Sequence, residues 1–239
     1  MARAERDQWY FRSRRRVLSG LLDRLSPEGP VLDVGCGPGG NGPLLAPWAP
    51  VCGVDRSAAA AKSSLTRGYA TAVIADGGRL PFGGGAFRLV TCLDVLEHLP
   101  DARGAAGELV RVCRPGGLVV VTVPAFQWLW SAHDAALGHV RRYSRDEVGR
   151  LLTEAGLRLR RLTYCLLGAF VPAAAVRTFQ RFSRREPLAA AKLQTDVGGF
   201  PLPEPLNVLL ARAFSQEARW VSGHDLPVGL SVFAAGERR

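Results

Sequence analysis

Residues 31–42, VLDVGCGPGGNG, decide the fold of this 239-residue chain. A short apolar strand leads into Gly35, and further glycines turn the chain tightly towards a helical segment. Glycine suits a loop whose backbone must come close to a ligand, because a side chain would hold the ligand away. The stretch therefore predicts a strand, a ligand-binding loop and a helix in direct succession.

The same alternation continues through the first two-thirds of the chain. Apolar runs typical of strands occupy residues 29–35, 51–55, 71–76, 87–99 and 116–124, the fourth running on into a helical turn. Helical patterns lie between them at residues 40–48, 57–67 and 102–113. Almost continuously apolar strands are typical of a parallel sheet that is buried on both faces. We therefore predict an α/β fold with a doubly wound sheet.

The remainder of the chain carries a different pattern. Ser144 and Glu147 form a capping-box pattern for a helix that ends at Gly156. Residues 157–164 alternate apolar and basic side chains, which predicts a strand with one solvated face. Another short strand is expected at the C-terminal end. Between these strands lies an insertion of roughly sixty residues, too long to lack its own structure, and residues 205–221 have an amphipathic helical pattern.

These patterns divide the chain into three parts. Residues 1–28 are expected to form an N-terminal helical cap. Residues 29–164 together with 227–239 are expected to form the core domain, and residues 165–226 a helical insertion that covers the ligand site as a lid.

Composition excludes several classes of protein. The net charge is +10, and all but Lys62 and Lys192 of the 31 basic residues are arginines spread along the whole chain. This spread favours a composition bias over a dedicated nucleic-acid surface. The five cysteines are scattered and form no CxxC pair, which indicates reduced thiols in a cytoplasmic protein. We find no apolar run long enough to cross a bilayer and no secretory signal.

Acidic residues lie in the first predicted strand and at the ends of the second and third, in a pattern that suits a nucleoside. Asp55 ends the second strand, where a carboxylate can accept hydrogen bonds from both hydroxyls of a ribose. Asp76, followed by Gly77, ends the third strand, where a carboxylate can accept from an adenine amino group. Asp33 lies two residues before Gly35, which places a negative charge close to the loop.

A nicotinamide dinucleotide is the alternative ligand, because Gly35, Gly37 and Gly40 also fit the G-x-G-x-x-G pattern. An NAD-dependent oxidoreductase would place a pyrophosphate against this loop. The carboxylate of Asp33 would be a poor neighbour for that anion and suits an amino group or a sulfonium better.

At these residues the chain resembles the class I S-adenosylmethionine-dependent methyltransferases, in particular the methyltransferase type 11 group. The matching segments, in the order of the family, are LDVGCGPGG, Asp55, residues 75–76, residues 80–101 and residues 111–124. The resemblance implies a Rossmann-like, mostly parallel sheet of seven strands with an antiparallel last strand. It also implies an enzyme that uses S-adenosyl-L-methionine and releases S-adenosyl-L-homocysteine.

The resemblance further implies which residues hold the cofactor. The methionine moiety would be held by Asp33, Gly35, Cys36, Gly37 and the backbone of Leu93. The ribose would lie at Asp55 and Arg56, the adenine at Asp76 and Gly77, and the methyl group near Asp94 and His98.

The N-terminal segment 7–25, DQWYFRSRRRVLSGLLDRL, reads as an amphipathic helix. It can be a docking helix with an aromatic staple. The resemblance suggests instead that it closes over the cofactor, with Tyr10 at the site and Arg15 pairing with the methionine carboxylate. The spacing does not tell which arginine takes that part.

The loop 131–144, SAHDAALGHVRRYS, follows the fifth strand and is expected at the acceptor side, beyond the carboxyl ends of the strands. His133 and His139 are candidates for a general base, with Asp134 orienting the base and Tyr143 beside it. The alternative is a structural entry into the next helix, anchored by the two arginines. A metal site of His133, Asp134 and His139 is possible in composition, but without supporting groups we predict no metal.

The sequence of the insertion indicates what kind of acceptor the enzyme uses. Residues 176–185 would place four arginines on one helical face and two phenylalanines on the other. Segment 162–185 could therefore rest on an anionic membrane, or form a solvated face beside the lid. We predict an enzyme of biosynthesis with a small-molecule acceptor, an apolar or aromatic specialised metabolite. The alternative acceptor is a lipid, isoprenoid or glycan intermediate at a membrane surface. The chain lacks an NPPY-like tetrapeptide after the fourth strand, which speaks against nucleic acid. Its oligomeric state is not predicted.

Overall fold

A computed structural model of the protein describes residues 9–25, 29–182 and 204–239, except for the side chains of Trp9, Tyr10, 180–182 and a number of those in 205–222. Its sheet has seven strands: β1 Val31–Val34, β2 Val51–Asp55, β3 Tyr69–Ile74, β4 Phe87–Leu93, β5 Cys113–Pro124, β6 Leu157–Cys165 and β7 Ser231–Arg238. The strand order is β3-β2-β1-β4-β5-β7-β6. β7 runs antiparallel to both of its neighbours, and the pairs among β1 to β5 are parallel. The predicted fold class is confirmed.

Helices lie between the strands and flank the sheet. They are α1 Trp9–Asp23, α2 Gly42–Leu45, α3 Ala58–Ser64, α4 Ala102–Val112, α5 Ala132–Leu137, α6 Arg145–Glu154, α7 Leu167–Phe182 and α8 Glu204–Gly223. Short 3-10 turns follow at Leu65–Arg67, Leu96–His98 and Gln127–Leu129. The capping box predicted for α6 is present, because Ser144 and Glu147 each bond the backbone of the other.

Several elements differ from their predicted bounds, among them the helix after the glycine loop and the third strand. The helix predicted at 40–48 is only the four-residue α2. Pro47 explains its early end, because proline cannot continue a helix and restricts the residue before it. The third strand begins at Tyr69 and ends at Ile74, so Asp76 lies in the turn after the strand and not at its last residue.

The N-terminal helix and the insertion pack against each other. α1 buries Val17, Leu18, Leu21 and Leu22, as its apolar pattern predicts, and lies along α8. The two backbones come so close that a Cβ on Gly20 would lie 3.0 Å from the carbonyl oxygen of Ala218. The predicted cap and the predicted insertion are therefore in direct contact.

α7 and α8 make up the described part of the insertion. α7 begins two residues after β6, and Pro172 lies inside it. Arg184 and Arg185 of the predicted basic face lie outside the described residues, as does the side chain of Arg181. Within the part of the chain that the structure describes, no helix has the length and apolar character to cross a bilayer.

Candidate active site

The carboxyl ends of the parallel strands border a cleft made of two cavities. The larger has a volume of about 270 Å³. It is lined by Gly35, Val54, Asp55, Arg56, Ala75, Asp76, Gly77, Asp94, Val95, His98, Leu99 and Leu137. The smaller, of about 180 Å³, is lined by Phe11, Arg14, Arg15, Gly35, Cys36, Gly37, Pro38, Gly40, Asn41, Leu93 and Asp94.

Gly35 and Asp94 line both cavities, so the two cavities adjoin at the glycine loop. The residues predicted for ribose and adenine lie in the larger cavity, and those predicted for the methionine moiety lie in the smaller one, with Asp33 and Tyr10 as exceptions. Tyr10 belongs to α1, but its side chain lies outside the described residues.

The glycine loop has a conformation that other residues adopt with strain. Gly35 has φ of +73°, and a Cβ there would lie 2.3 Å from Cγ2 of Val95. Gly37 has φ of +53°, and an added Cβ would meet no atom within 4 Å, so this residue faces open space. The amide of Gly37 donates to Oδ2 of Asp55 at 2.9 Å, and the amide of Ser57 donates to Oδ1 at 2.8 Å. The Asp55 carboxylate thus ties the first loop to the second.

Asp33 lies beneath the loop, with none of its surface exposed. Its carboxylate accepts hydrogen bonds from the Tyr69 hydroxyl at 2.5 Å, Thr91 Oγ1 at 2.6 Å and Asn41 Nδ2 at 3.3 Å. Burial raises the pKa of Asp33, and these three bonds counteract part of that rise. The expectation that Asp33 contacts the cofactor does not fit this placement. Instead its carboxylate anchors the strand that carries the loop.

Arg14 reaches the cleft from α1. Its Nη2 donates to Oδ2 of Asp94 at 2.6 Å, and its Nη1 donates to Oδ1 of Asn41 at 3.3 Å. Arg15, the arginine expected from the sequence, lines the same cavity. Arg14 and Arg15 therefore both line the cavity in which an arginine was expected to pair with the methionine carboxylate.

Asp94 is held in an uncommon backbone conformation at the junction of the two cavities. Its φ is +59°, which is rare for a residue other than glycine. Its amide donates to the carbonyl of Thr122 at 2.9 Å, and the Thr122 hydroxyl donates to Oδ1 of Asp94 at 2.8 Å. These contacts between the ends of β4 and β5 fix the carboxylate in the cleft.

The loop 131–144 is built around Asp134, which is fully buried. Asp134 closes a capping box with Ser131 at the start of α5. Its two oxygens accept from Nε and Nη2 of Arg142 at 2.8 and 2.9 Å, and Oδ1 lies 2.9 Å from Nδ1 of His139. Burial alone would raise the pKa of Asp134, but hydrogen bonds from His139 and Arg142 outweigh it and hold the pKa well below its usual value. The predicted pairing of Asp134 with a histidine is thus present for His139.

His98 and His139 come together although they lie far apart in the sequence. Their rings meet edge to face, with centroids 4.7 Å apart. Nδ1 of His98 lies 3.3 Å from the carbonyl oxygen of Gly138. Burial and the neighbouring His139 lower the pKa of His98, so its neutral form is favoured. Since His98 lines the larger cavity, the histidine pair joins the loop 131–144 to the cleft.

Tyr143 was expected among the catalytic residues, but the structure places it outside the lining of both cavities. Its side chain is buried, and its hydroxyl donates to the carbonyl of Leu96 at 3.2 Å. Burial raises the pKa of Tyr143 to about 12, which makes the hydroxyl a poor acid or base at neutral pH. Tyr143 therefore supports the turn that carries His98. His133 lines neither of the two cavities, so the structure does not bring it to the cleft.

An aromatic cluster lies at the carboxyl ends of β5 and β6. The rings of Phe126 and Tyr164 are stacked with centroids 4.8 Å apart, and Phe170 of α7 lies 5.7 Å from Phe126. The ring of Trp128 lies 6.2 Å from that of Phe170 and is partly exposed. This cluster offers an apolar surface on the side where the acceptor is expected.

Sequence reasoning missed several residues that shape the site. Tyr69 and Asn41 hold Asp33, Arg14 holds Asp94, and Glu97 lies buried beside His98. The signal for Glu97 was its place next to His98 in the matched segment 80–101. The contacts of the others join residues from distant parts of the chain and leave no local pattern.

Comparison with known proteins adds to this geometry. A protein-family model, described as a methyltransferase domain, matches residues 9–162. The chain belongs to this methyltransferase family. It is thus a class I S-adenosylmethionine-dependent methyltransferase, and the nicotinamide alternative is set aside in favour of S-adenosylmethionine.

Several curated relatives of this methyltransferase share part of its length. It is 41% identical over 108 residues to 2-methyl-6-phytyl-1,4-hydroquinone methyltransferase of Synechocystis, which covers 43% of this chain and 34% of the relative. It is 36% identical over 100 residues to the chloroplastic tocopherol O-methyltransferase of Arabidopsis thaliana, covering 38% of this chain and 29% of the relative. A probable S-adenosylmethionine-dependent methyltransferase of Mycolicibacterium smegmatis is 32% identical over 158 residues, covering 64% of this chain and 60% of the relative. The chain thus matches less than two thirds of each of these relatives.

Solved structures share the fold of the methyltransferase. A geranyl diphosphate methyltransferase in complex with GPP and sinefungin superposes with a TM-score of 0.58 at 20% identity, covering 92% of this chain and 76% of the other. The YcgJ protein of Bacillus superposes with a TM-score of 0.57 at 17% identity, covering 93% and 98%. At this level of identity the likeness concerns the fold alone.

Proposed function

We propose that this methyltransferase acts on a small apolar or aromatic acceptor that binds beside His98 and His139. The observation that carries the proposal is the contact between these two rings. One ring lines the larger cavity of the cleft, and the other comes from the loop after β5. Acceptors in open α/β sheets bind beyond the carboxyl ends of the strands, so the pair lies between the cofactor and the acceptor.

The residues of the cleft fit S-adenosylmethionine. Asp55 would accept from the ribose, and Asp76 with Gly77 would bind the adenine in the larger cavity. In the smaller cavity Arg14 and Arg15 offer guanidinium groups for a carboxylate. The open space at Gly37 leaves room for the backbone to approach the ligand.

When bound, the cofactor supplies an electrophilic methyl group on a sulfonium. The residues of this chain then have two tasks, to align the acceptor and to accept its proton. Alignment accounts for much of the rate in such a displacement. Asp134 engages Nδ1 of His139, which leaves Nε2 of that ring to accept a proton from an acceptor hydroxyl.

The aromatic cluster of Phe126, Trp128, Tyr164 and Phe170 supports an apolar acceptor. Two relatives are named for methylation of a phytyl hydroquinone and of tocopherol, which are aromatic molecules with long apolar chains. Incubation of the enzyme with methyl-labelled S-adenosylmethionine and a panel of prenylated hydroquinones, simple catechols and hydrophilic amines tests the proposal. We expect label in the apolar phenols. Label confined to the amines would contradict it.

A membrane-held acceptor, such as a lipid, isoprenoid or glycan intermediate, is the second candidate. Val171, Val176 and Phe179 of α7 are exposed, with Phe179 at 72%. Exposed apolar side chains on a helix of this kind suit the surface of a bilayer. Flotation with anionic vesicles distinguishes the two candidates, because only a membrane-held acceptor requires the enzyme to float with the lipid.

A further inference from the structure

Glu97, His98 and His139 meet at the acceptor side of the cleft. Glu97 and His98 belong to the turn after β4, and His139 belongs to the loop after α5. One carboxylate oxygen and one nitrogen of each ring lie within 4.8 Å of one another. Two imidazoles and one carboxylate at such distances are a donor set for Zn²⁺ and for Fe²⁺ and related transition metals.

The Glu97 carboxylate lacks a partner for one of its oxygens. The residue is 1% exposed, and within the described residues its Oε2 has no hydrogen bond. Buried carboxylates are ordinarily paired or bound to a cation, because burial without a partner is costly. A divalent cation would satisfy this oxygen.

Each of the two imidazole rings has a hydrogen-bond acceptor next to its Nδ1 nitrogen. The buried Asp134 carboxylate lies on Nδ1 of His139 at 2.9 Å, and the carbonyl of Gly138 lies on Nδ1 of His98 at 3.3 Å. An acceptor at Nδ1 fixes the proton there and leaves the lone pair on Nε2. A histidine that binds a metal usually donates its other ring N–H to a carboxylate or a backbone carbonyl.

The neighbouring carboxylates are engaged elsewhere. Asp94 accepts from Arg14 and Thr122, and Asp134 accepts from Arg142. The metal site considered from the sequence comprised His133, Asp134 and His139, so the group found in the structure shares only His139 with it.

We propose that Glu97, His98 and His139 bind one divalent transition-metal ion, with Zn²⁺ as the matching size and chemistry. The larger cavity, which His98 lines, provides the entry path. The functional consequence rests on the proposed function: with an ion bound, Nε2 of His139 is a metal ligand and no longer the proton acceptor, and the ion would instead lower the pKa of an acceptor hydroxyl and so favour its deprotonated form.

Metal binding is tested on the whole protein without cofactor or acceptor. After treatment with EDTA, the protein is titrated with Co²⁺ and followed by visible absorption, then challenged with Zn²⁺. We expect one equivalent to bind and Zn²⁺ to displace it. The variants His98→Ala, His139→Ala and Glu97→Gln should each weaken binding at least about tenfold, with folding checked by circular dichroism.

His133→Ala and His224→Ala are the matched controls, since these histidines lie outside the group, and they should bind as the unmodified protein does. Absence of Co²⁺ and Zn²⁺ binding in the unmodified protein would overturn the proposal, as would equal loss in His133→Ala. Metal binding by an enzyme that methylates only hydrophilic amines would support this site while contradicting the proposed acceptor. Methylation of apolar phenols without any metal binding would do the reverse.

Discussion

Nδ1 of His139 lies 2.9 Å from Oδ1 of Asp134, on a carboxylate that also accepts two hydrogen bonds from Arg142. Asp134 is therefore both the group that orients a histidine of the proposed site and the partner of a buried guanidinium. A single carboxylate connects the stability of the loop with the chemistry expected at its surface.

Asp134→Asn keeps the size of the side chain and removes its charge. The buried Arg142 then loses its counter-charge, and we expect the free energy of unfolding to fall by about 3 kcal/mol. Urea denaturation measures this change. Asp146→Asn, at an exposed position of α6, is the control and should leave the midpoint unchanged. Equal midpoints for both variants would show that the Asp134 pair contributes nothing to stability.

His139→Ala should lower turnover by at least about tenfold while the affinity for S-adenosylmethionine stays within a few-fold, because the residue lies on the acceptor side. Steady-state kinetics and calorimetric titration measure the two quantities. His133→Ala, in the same loop, should keep its turnover. Loss of cofactor binding in His139→Ala would mean that the loop belongs to the cofactor site.

Arg14→Ala should weaken the binding of S-adenosylhomocysteine at least about tenfold, since the guanidinium lines the smaller cavity and holds Asp94. Calorimetry of the variant measures the loss, and Arg16→Ala, an exposed position of the same helix, serves as control. A weaker effect than that of Arg15→Ala would assign the main contact to Arg15.

Gly35→Ala should abolish cofactor binding, because the new Cβ would overlap with Val95 at a positive φ. Gly107→Ala is the matched substitution in the exposed middle of α4, where an added Cβ meets no atom within 4 Å. It should raise the free energy of unfolding by up to about 1 kcal/mol. Thermal shifts with and without S-adenosylhomocysteine measure both effects, and retained binding by Gly35→Ala would refute the assigned role of the loop.

Tyr143→Phe should leave turnover within a few-fold and lower the free energy of unfolding by about 1 kcal/mol, the contribution of one hydrogen bond to the Leu96 carbonyl. Kinetics and urea denaturation on the same preparation measure the two quantities. A large loss of turnover at unchanged stability would return Tyr143 to the catalytic group.

The sequence predicted the sheet and most of the cleft because those depend on local patterns. The loop at Gly35 and the acids at Asp55 and Asp76 follow strands that are recognisable by themselves. Asp33 was expected at the cofactor, but the partners of its carboxylate could not be read from the sequence, because Tyr69 and Thr91 lie on other strands. A residue at the end of a strand can face either the cleft or the core, and only the packed sheet decides between them.

The histidine pair shows the same limit. His98 was expected beside the cofactor and His139 beside the acceptor, but neither the spacing nor the resemblance indicated that their rings touch. That contact depends on how the loop after β5 folds back, through the hydrogen bond from the Val140 amide to the carbonyl of Glu97 at 2.7 Å. Contacts of this kind form only in the folded protein, and no periodic pattern in the sequence predicts them.

The position of β7 has a consequence for how the chain reaches its native state. β6 pairs with β7, and β7 pairs with β5, so β6 is joined to the rest of the sheet through a strand that is synthesised after it. β6 therefore has no partner strand until α7, α8 and β7 have been synthesised. Pairing of strands that are far apart in sequence is slow, because closing the loop between them costs conformational entropy before the stabilising contacts form. The half of the sheet that carries the glycine loop can assemble earlier, and the edge formed by β7 and β6 is completed last.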